Sequence, residues 1–278
     1  MAKDDARYTG SFFNSYTNTR MKLHRHCVPL DNNPAKIAEI YDYPRQQVDE
    51  IFAELERDLQ GAANNLKEKF HLQLNEKLTG LNANLVFIGD QLTSEYLSYY
   101  NIIRKVFEEY DGIRVSIAGN TGDNSNQSLQ YIYGLAVSQQ PVVTSIFIGI
   151  NDVFYAADAY GKTISSRREF RENIDYLTKV MLHNGSKVIL HTLPPVDEEA
   201  AAKAYRHMNW NIDNEEIRAR NEDIRQTAAK NRCTLNDIGA ALETFDGLVN
   251  LSGNGVLLTK EAQRFIADRL IGILLEQL

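Results

Sequence analysis

From Asn84 onward, short apolar runs alternate with longer segments whose apolar positions recur at helical spacing. The runs are Leu85 to Ile88, Ile113 to Ile117, Val142 to Ile148, Lys187 to Leu190, and a weaker one around Thr234 and Leu235. Near-continuous apolar runs of this length suit strands covered on both faces, as in a parallel sheet. Helices are predicted between them over about Leu92–Glu109, Asn126–Ser138, Arg167–His183, Asn214–Asn231 and Lys260–Glu276. Strand and helix in alternation predict an α/β domain with a doubly wound parallel sheet of five strands.

The chain before this domain has a different pattern. Val48, Phe52, Leu55, Leu59, Ala62, Leu66 and Phe70 recur at steps of three and four between charged and amide residues. With Pro44 at one end and Gly80 at the other, they predict one long amphipathic helix. Two placements suit its stripe: a seam with a second copy, making residues 44–80 a homo-oligomer contact, or a bed on the main domain. Residues before Pro44 show little periodicity and read as a surface arm. The division expected is therefore 1–80, arm and long helix, and 81–278, the α/β domain.

Composition narrows the function classes. The 278 residues are 43% hydrophobic and 24% charged, a globular balance. Thirty Lys and Arg against 37 Asp and Glu give a net charge of −7, which argues against nucleic acid as a partner. Two cysteines, Cys27 and Cys233, support neither a disulfide framework nor a CxxC motif. No run approaches a membrane span and no signal-peptide core is apparent, so the chain reads as soluble and cytoplasmic.

Ligands of an open parallel sheet collect at the carboxyl ends of its strands. The loops there are Gly89-Asp90-Gln91-Leu92-Thr93, Gly119 to Ser125, Gly149-Ile150-Asn151-Asp152, His191 to Pro195, and Gly253 to Lys260. Glycine beside short polar side chains can expose backbone N–H groups to an oxyanion, although the same residues also build ordinary turns and caps.

In this order the loops resemble the blocks of the SGNH hydrolases, the GDSL esterases and lipases, over about Asn84 to Leu278. Gly89 to Thr93 resembles the first block, Gly119 to Asp123 the second, Gly149 to Asp152 the third, and Asn254 to Thr259 the last. The resemblance implies a three-layer, flavodoxin-like α/β fold and no cofactor. In that family a serine follows Gly-Asp, an Asp-x-x-His pair completes the triad, and the second and third blocks supply oxyanion donors. Carried onto this chain, the serine position is Gln91, the aspartate position Asn254 and the histidine position Leu257, while Gly122 and Asn151 take the oxyanion roles. Glutamine is no substitute for an activated hydroxyl, leucine cannot take a proton, and asparagine cannot orient a charged imidazole. The resemblance thus implies the binding half of an esterase without its catalytic half, in short a pseudoenzyme.

Other residues define the alternatives. His191, at the end of the fourth strand, with Asp123 and Asp152 on neighbouring loops, suits a rewired acid–base set, a divalent metal site, or a backbone-bonded ring among capping aspartates, and Asp90 is a further residue of the possible cleft. Trp210, in the insertion from Pro194 to Asn214, either contacts a ligand over the cleft or anchors the loop. His24-Arg25-His26-Cys27 lacks a second cluster to complete a zinc site, so no metal is expected. Gly161-Lys162-Thr163 lacks the leading glycine of a P-loop, and GxSxG does not occur. The expected function is binding of a small acylated or carbohydrate-type ligand, or of a protein partner, in a cleft without hydrolysis. The alternatives are an active esterase or acyltransferase rewired around His191, and an assembly protein acting through the long helix.

Overall fold

The computed structural model describes residues 33–245 and 254–278. Its elements, in chain order, are α1 (Pro34–Tyr41), α2 (Arg45–Leu78), β1 (Ala83–Gly89), α3 (Gln91–Ser94), α4 (Tyr99–Phe107), β2 (Ile113–Ala118), α5 (Ser125–Tyr131) and β3 (Val143–Phe147). There follow β4 (Tyr155–Ala156), α6 (Arg167–His183), β5 (Lys187–His191), α7 (Glu198–Tyr205), β6 (Trp210–Asn211), α8 (Asn214–Asn231), β7 (Thr234–Asn236), α9 (Ile238–Thr244) and α10 (Lys260–Gln277).

The apolar runs form a five-stranded parallel sheet in the order β2-β1-β3-β5-β7, flanked by helices. Phe87 lies beside Ser145, Ser145 beside Ile189, and His191 beside Asn236, which brings the strand ends carrying the glycine loops to one edge. β1 and β3 are buried nearly throughout, as their position inside the sheet requires.

Four local expectations change. The helix predicted from Leu92 breaks into α3 and α4, because Ser98 caps a new start by accepting from the Asn101 N–H. The helix predicted over Asn126–Ser138 runs as α5, then a π-helical turn over Ile132–Ala136 and a 3-10 turn over Val137–Gln139. The insertion after β5 has structure of its own: α7, then β6 paired antiparallel with β4. Part of the expected arm is helical too, since Asn33 caps α1 and Pro34 occupies its first turn; residues 1–32, with His24, His26 and Cys27, lie outside the described residues.

The long helix forms as predicted, at 34 residues. Its stripe is used within the chain. Leu59, Ala62, Ala63, Leu66, Leu74 and Leu78 join the core of the α/β domain, while Val48 meets Ile37 and Ala38 of α1. Ion pairs from Lys69 to Asp268 at 2.6 Å and from Lys260 to Asp58 at 3.0 Å fasten its flanks to α10. Leu74 is 1% exposed, so Leu74→Ala is expected to lower the unfolding free energy by about 2–4 kcal/mol, measurable as a fall in the urea midpoint at unchanged slope. A helix docked only through ion pairs would show less than about 1 kcal/mol.

Candidate functional site

β1 ends at Gly89, where a side chain is excluded: a Cβ would stand 2.0 Å from Thr93 Oγ1. Asp90 then starts α3, its carboxylate accepting from the Leu92 N–H at 2.9 Å. This cap makes Gln91 the first helical residue, at the edge where the loops gather. Gly119 brings the second loop against the first, since a Cβ there would lie 1.8 Å from the Gly89 carbonyl oxygen and φ is +155°.

The three loops meet at the Gln91 side chain. Its Oε1 accepts from the Gly122 N–H at 3.0 Å and from Asn151 Nδ2 at 2.8 Å. Its Nε2 donates back to Asn151 Oδ1 at 3.0 Å. Asn151 Nδ2 also donates to the Asp123 carbonyl oxygen at 2.6 Å. A side-chain carbonyl oxygen therefore sits between the two groups to which the family resemblance gives the oxyanion role. Gln91 itself is 6% exposed.

The aspartates hold loops. Asp123 accepts from the Asn120 N–H and from Tyr131 Oη, both at 2.8 Å. Asp152 accepts from the Ser125 N–H at 2.8 Å and from Ser125 Oγ at 2.5 Å, tying the third loop to the start of α5. Arg220, wholly buried on α8, donates to the Ser165 carbonyl oxygen at 2.9 Å and lies over the Phe170 ring. Its Nη2 is 3.4 Å from the Asp152 carbonyl oxygen, so a cation backs the strand of chain that carries Asn151.

Burial sets the charges. It pushes the Asp90 carboxyl up to about 8, with Asp152 and Asp123 adding to the rise and the Leu92 and Gly149 N–H groups opposing it. Glu95, just past α3, is pushed up to about 8 by the same cause, against a hydrogen bond from Gln263. Neither signal was visible in the sequence, because nothing local distinguishes a buried acid from a surface one.

His191 does not join the loop aspartates. Its ring is 1% exposed, packed on Phe147 and Tyr99, with Nε2 2.8 Å from Ser145 Oγ and Nδ1 3.3 Å from Asn236 Nδ2. Burial lowers its pKa to about 3, so it is a neutral core residue under the sheet end. Trp210 is half-buried and packs against the core. Among the described residues no group of three or more His, Cys, Asp or Glu could hold a metal ion.

The last block is covered by the insertion. Asn254 Oδ1 accepts from the N–H groups of Val256 and Leu257 at 3.0 and 2.9 Å, and Leu257 is 7% exposed. Gly255, with φ +73°, lies so close to α7 that a Cβ would stand 2.4 Å from the Asp197 carbonyl oxygen. The Asp197 N–H donates to the Gly255 carbonyl oxygen at 2.9 Å. The sequence hint for this contact was the glycine directly after Asn254, which permits both the left-handed turn and the close approach.

Residues 79–270 match the family model described as GDSL-like Lipase/Acylhydrolase. Among solved structures, an acetyl xylan esterase is 21% identical, with a TM-score of 0.56 covering 68% of this chain and 98% of that one. A lipase/acylhydrolase from Enterococcus faecalis is 18% identical, with a TM-score of 0.57 covering 70% and 96%. A catalytic mutant of an acetylxylan esterase from Geobacillus stearothermophilus is 19% identical, with a TM-score of 0.55 covering 72% and 96%. At these identities the structures share the fold. No curated protein matches the sequence significantly.

Proposed function

The chain belongs to the GDSL-like lipase/acylhydrolase family, and from that premise we propose that it is a member in which carbonyl binding is retained and ester hydrolysis is lost. The observation that carries this reading is the seat of Gln91 Oε1, which accepts from the Gly122 N–H and from Asn151 Nδ2 at 3.0 and 2.8 Å. Two convergent donors around one carbonyl oxygen are the arrangement that stabilises an oxyanion in acyl transfer. Here the oxygen is the chain's own, and position 91 carries an amide in place of a hydroxyl.

The chemistry of the other two positions supports the same conclusion. Asn254 spends its side-chain oxygen on the turn that follows it, and Leu257 offers no proton acceptor. A neutral amide in place of the carboxylate could not stabilise an imidazolium even if one were present. The organisation proposed with it is a hydrolase-like domain over 81–278, braced by the helical extension in 1–80. Two cysteines in 278 residues suit a reducing compartment, and no helix among the described residues is long and apolar enough to cross a membrane.

The purified protein is expected to stay unlabelled by a fluorophosphonate probe and to hydrolyse p-nitrophenyl acetate no faster than buffer. Stoichiometric labelling, or turnover that co-purifies with the protein through two chromatographic steps, would refute the reading. Gln91→Ser alone is expected to remain silent in both assays, since one hydroxyl without a base is a weak nucleophile.

A further inference from the structure

Gln91 and Asn151 face each other as two amides, each giving one N–H and accepting one. The orientation of both is fixed by other neighbours. Asn151 directs its nitrogen at the Asp123 carbonyl oxygen as well, at 2.6 Å, which leaves Oδ1 as the atom facing Gln91 Nε2. Gly122 can only donate, so the oxygen of Gln91 must be the atom against it, at 3.0 Å.

The recess filled by Gln91 therefore makes three demands. Two donors converge on one oxygen, and one acceptor waits beside them for an N–H. An ester meets only the first two. Its carbonyl oxygen takes both donors, but lying as Gln91 does it brings an alkoxy oxygen, with lone pairs and no hydrogen, against Asn151 Oδ1. An acceptor facing an acceptor in a half-buried place is penalised on both sides. A primary carboxamide or a lactam carries its N–H on the same side as its carbonyl oxygen and meets all three demands. Discrimination through a hydrogen-bonding group that the wrong ligand cannot match is the strong kind.

Resting on the reading of the site as one that binds without hydrolysing, we infer that the recess between Gly122 and Asn151 is a carboxamide site, occupied at rest by Gln91, that takes primary amides and lactams in preference to esters. A tethered amide competes at an effective concentration on the order of millimolar or more, so an outside amide displaces it only with further contacts beyond the recess. The ligand class is thus a small molecule or chain end bearing an amide, with an extension that leaves the recess.

The test removes the internal ligand. In Gln91→Ala, titration with 2-pyrrolidinone is expected to move the Gly122 amide resonance downfield and saturably, while the wild-type resonance stays still. Methyl acetate is expected to bind the variant at least tenfold more weakly. Asn151→Asp in the same background removes the Nδ2 donor and is expected to abolish the lactam response. Equal or tighter binding of the ester, or no response to the lactam in a folded variant, overturns the inference. Gln91→Ser gives a second vacated recess if the alanine variant does not fold. In the wild type, rapid solvent exchange of both Gln91 amide protons would contradict the pairing without any variant. Ester turnover by the wild type would defeat the preceding reading instead, and it is measured separately from this preference.

Discussion

Raising the pH from 6.5 to 8.5 is expected to cost the protein about 4 kcal/mol of unfolding free energy, a large part of the total for a domain of this kind. Asp90 and Glu95 are held protonated by burial, with folded values of about 8 against ordinary values of 3.8 and 4.5. Above pH 4.5 the unfolded chain has released both protons and the folded chain retains them. Folding therefore takes up protons, and stability falls as pH rises until the folded carboxyls ionise near 8. The sign is opposite to that of Asp175, where hydrogen bonds from Lys179, Asn231 and Lys230 outweigh burial and hold the carboxyl at about 2. That contribution is present above pH 4 and is lost only in stronger acid.

His191 shapes the acid side. Its folded value of about 3 lies below the ordinary 6.5, so stability also declines as pH falls from 6.5 toward 3 and the unfolded imidazole gains its proton. Between 4.5 and 6.5 this opposes the two carboxyls, and above 6.5 the opposition fades, while burial raises the Asp152 carboxyl in the same direction as theirs. The steepest loss therefore belongs between 6.5 and 8. Urea unfolding at half-unit steps of pH measures it, and Asp90→Asn with Glu95→Gln is expected to flatten the curve. Asparagine keeps an oxygen for the Leu92 N–H, so the cap on α3 survives the change. A double variant that retains the full slope would assign the effect to other groups.

Arg220→Ala is expected to be the most damaging of the simple truncations, at about 3–5 kcal/mol. The guanidinium is wholly buried, donates to the Ser165 carbonyl oxygen at 2.9 Å, and lies over Phe170. Its Nη1 stands 3.4 Å from Glu216, and its Nε has no hydrogen-bond partner among the described residues. Burial accordingly pulls its pKa below the ordinary arginine value, against the nearby acids Glu216, Asp152 and Asp223. Alanine would leave a cavity, the Ser165 carbonyl without its donor and Glu216 without its ion-pair partner. Arg220→Met fills the space without a charge and is expected to cost less than alanine, because a buried guanidinium is itself expensive to desolvate. Guanidinium unfolding of the two variants checks the order, and alanine less harmful than methionine would contradict it.

The blocks around Gly89, Gly122, Asn151 and Asn254 were legible because each is a short local string at a strand end, and strands announce themselves by consecutive apolar residues. Their meeting at one side chain was not legible. Gln91 touches groups 31 and 60 residues away, and its role as a carbonyl seated between two donors depends on angles that no spacing encodes. His191 illustrates the converse. Its place at the end of a strand was visible, but the face of the sheet it occupies was decided by Phe147, Tyr99 and Asn236 from other strands and helices.

The sequence by itself determined the parallel sheet, the long helix and the residue types Gln91, Asn254 and Leu257 at the positions that the family resemblance assigns to a triad, since residue type and apolar period are properties of the chain. Tertiary structure alone decided that α2 lies on its own domain and that α7 covers the last block. It also decided that two acids are buried, and that the Gln91 side-chain oxygen is seated between the Gly122 N–H and Asn151 Nδ2. These outcomes turn on which distant groups come within about 3 Å of each other, and hydrogen bonding and desolvation are set at that distance.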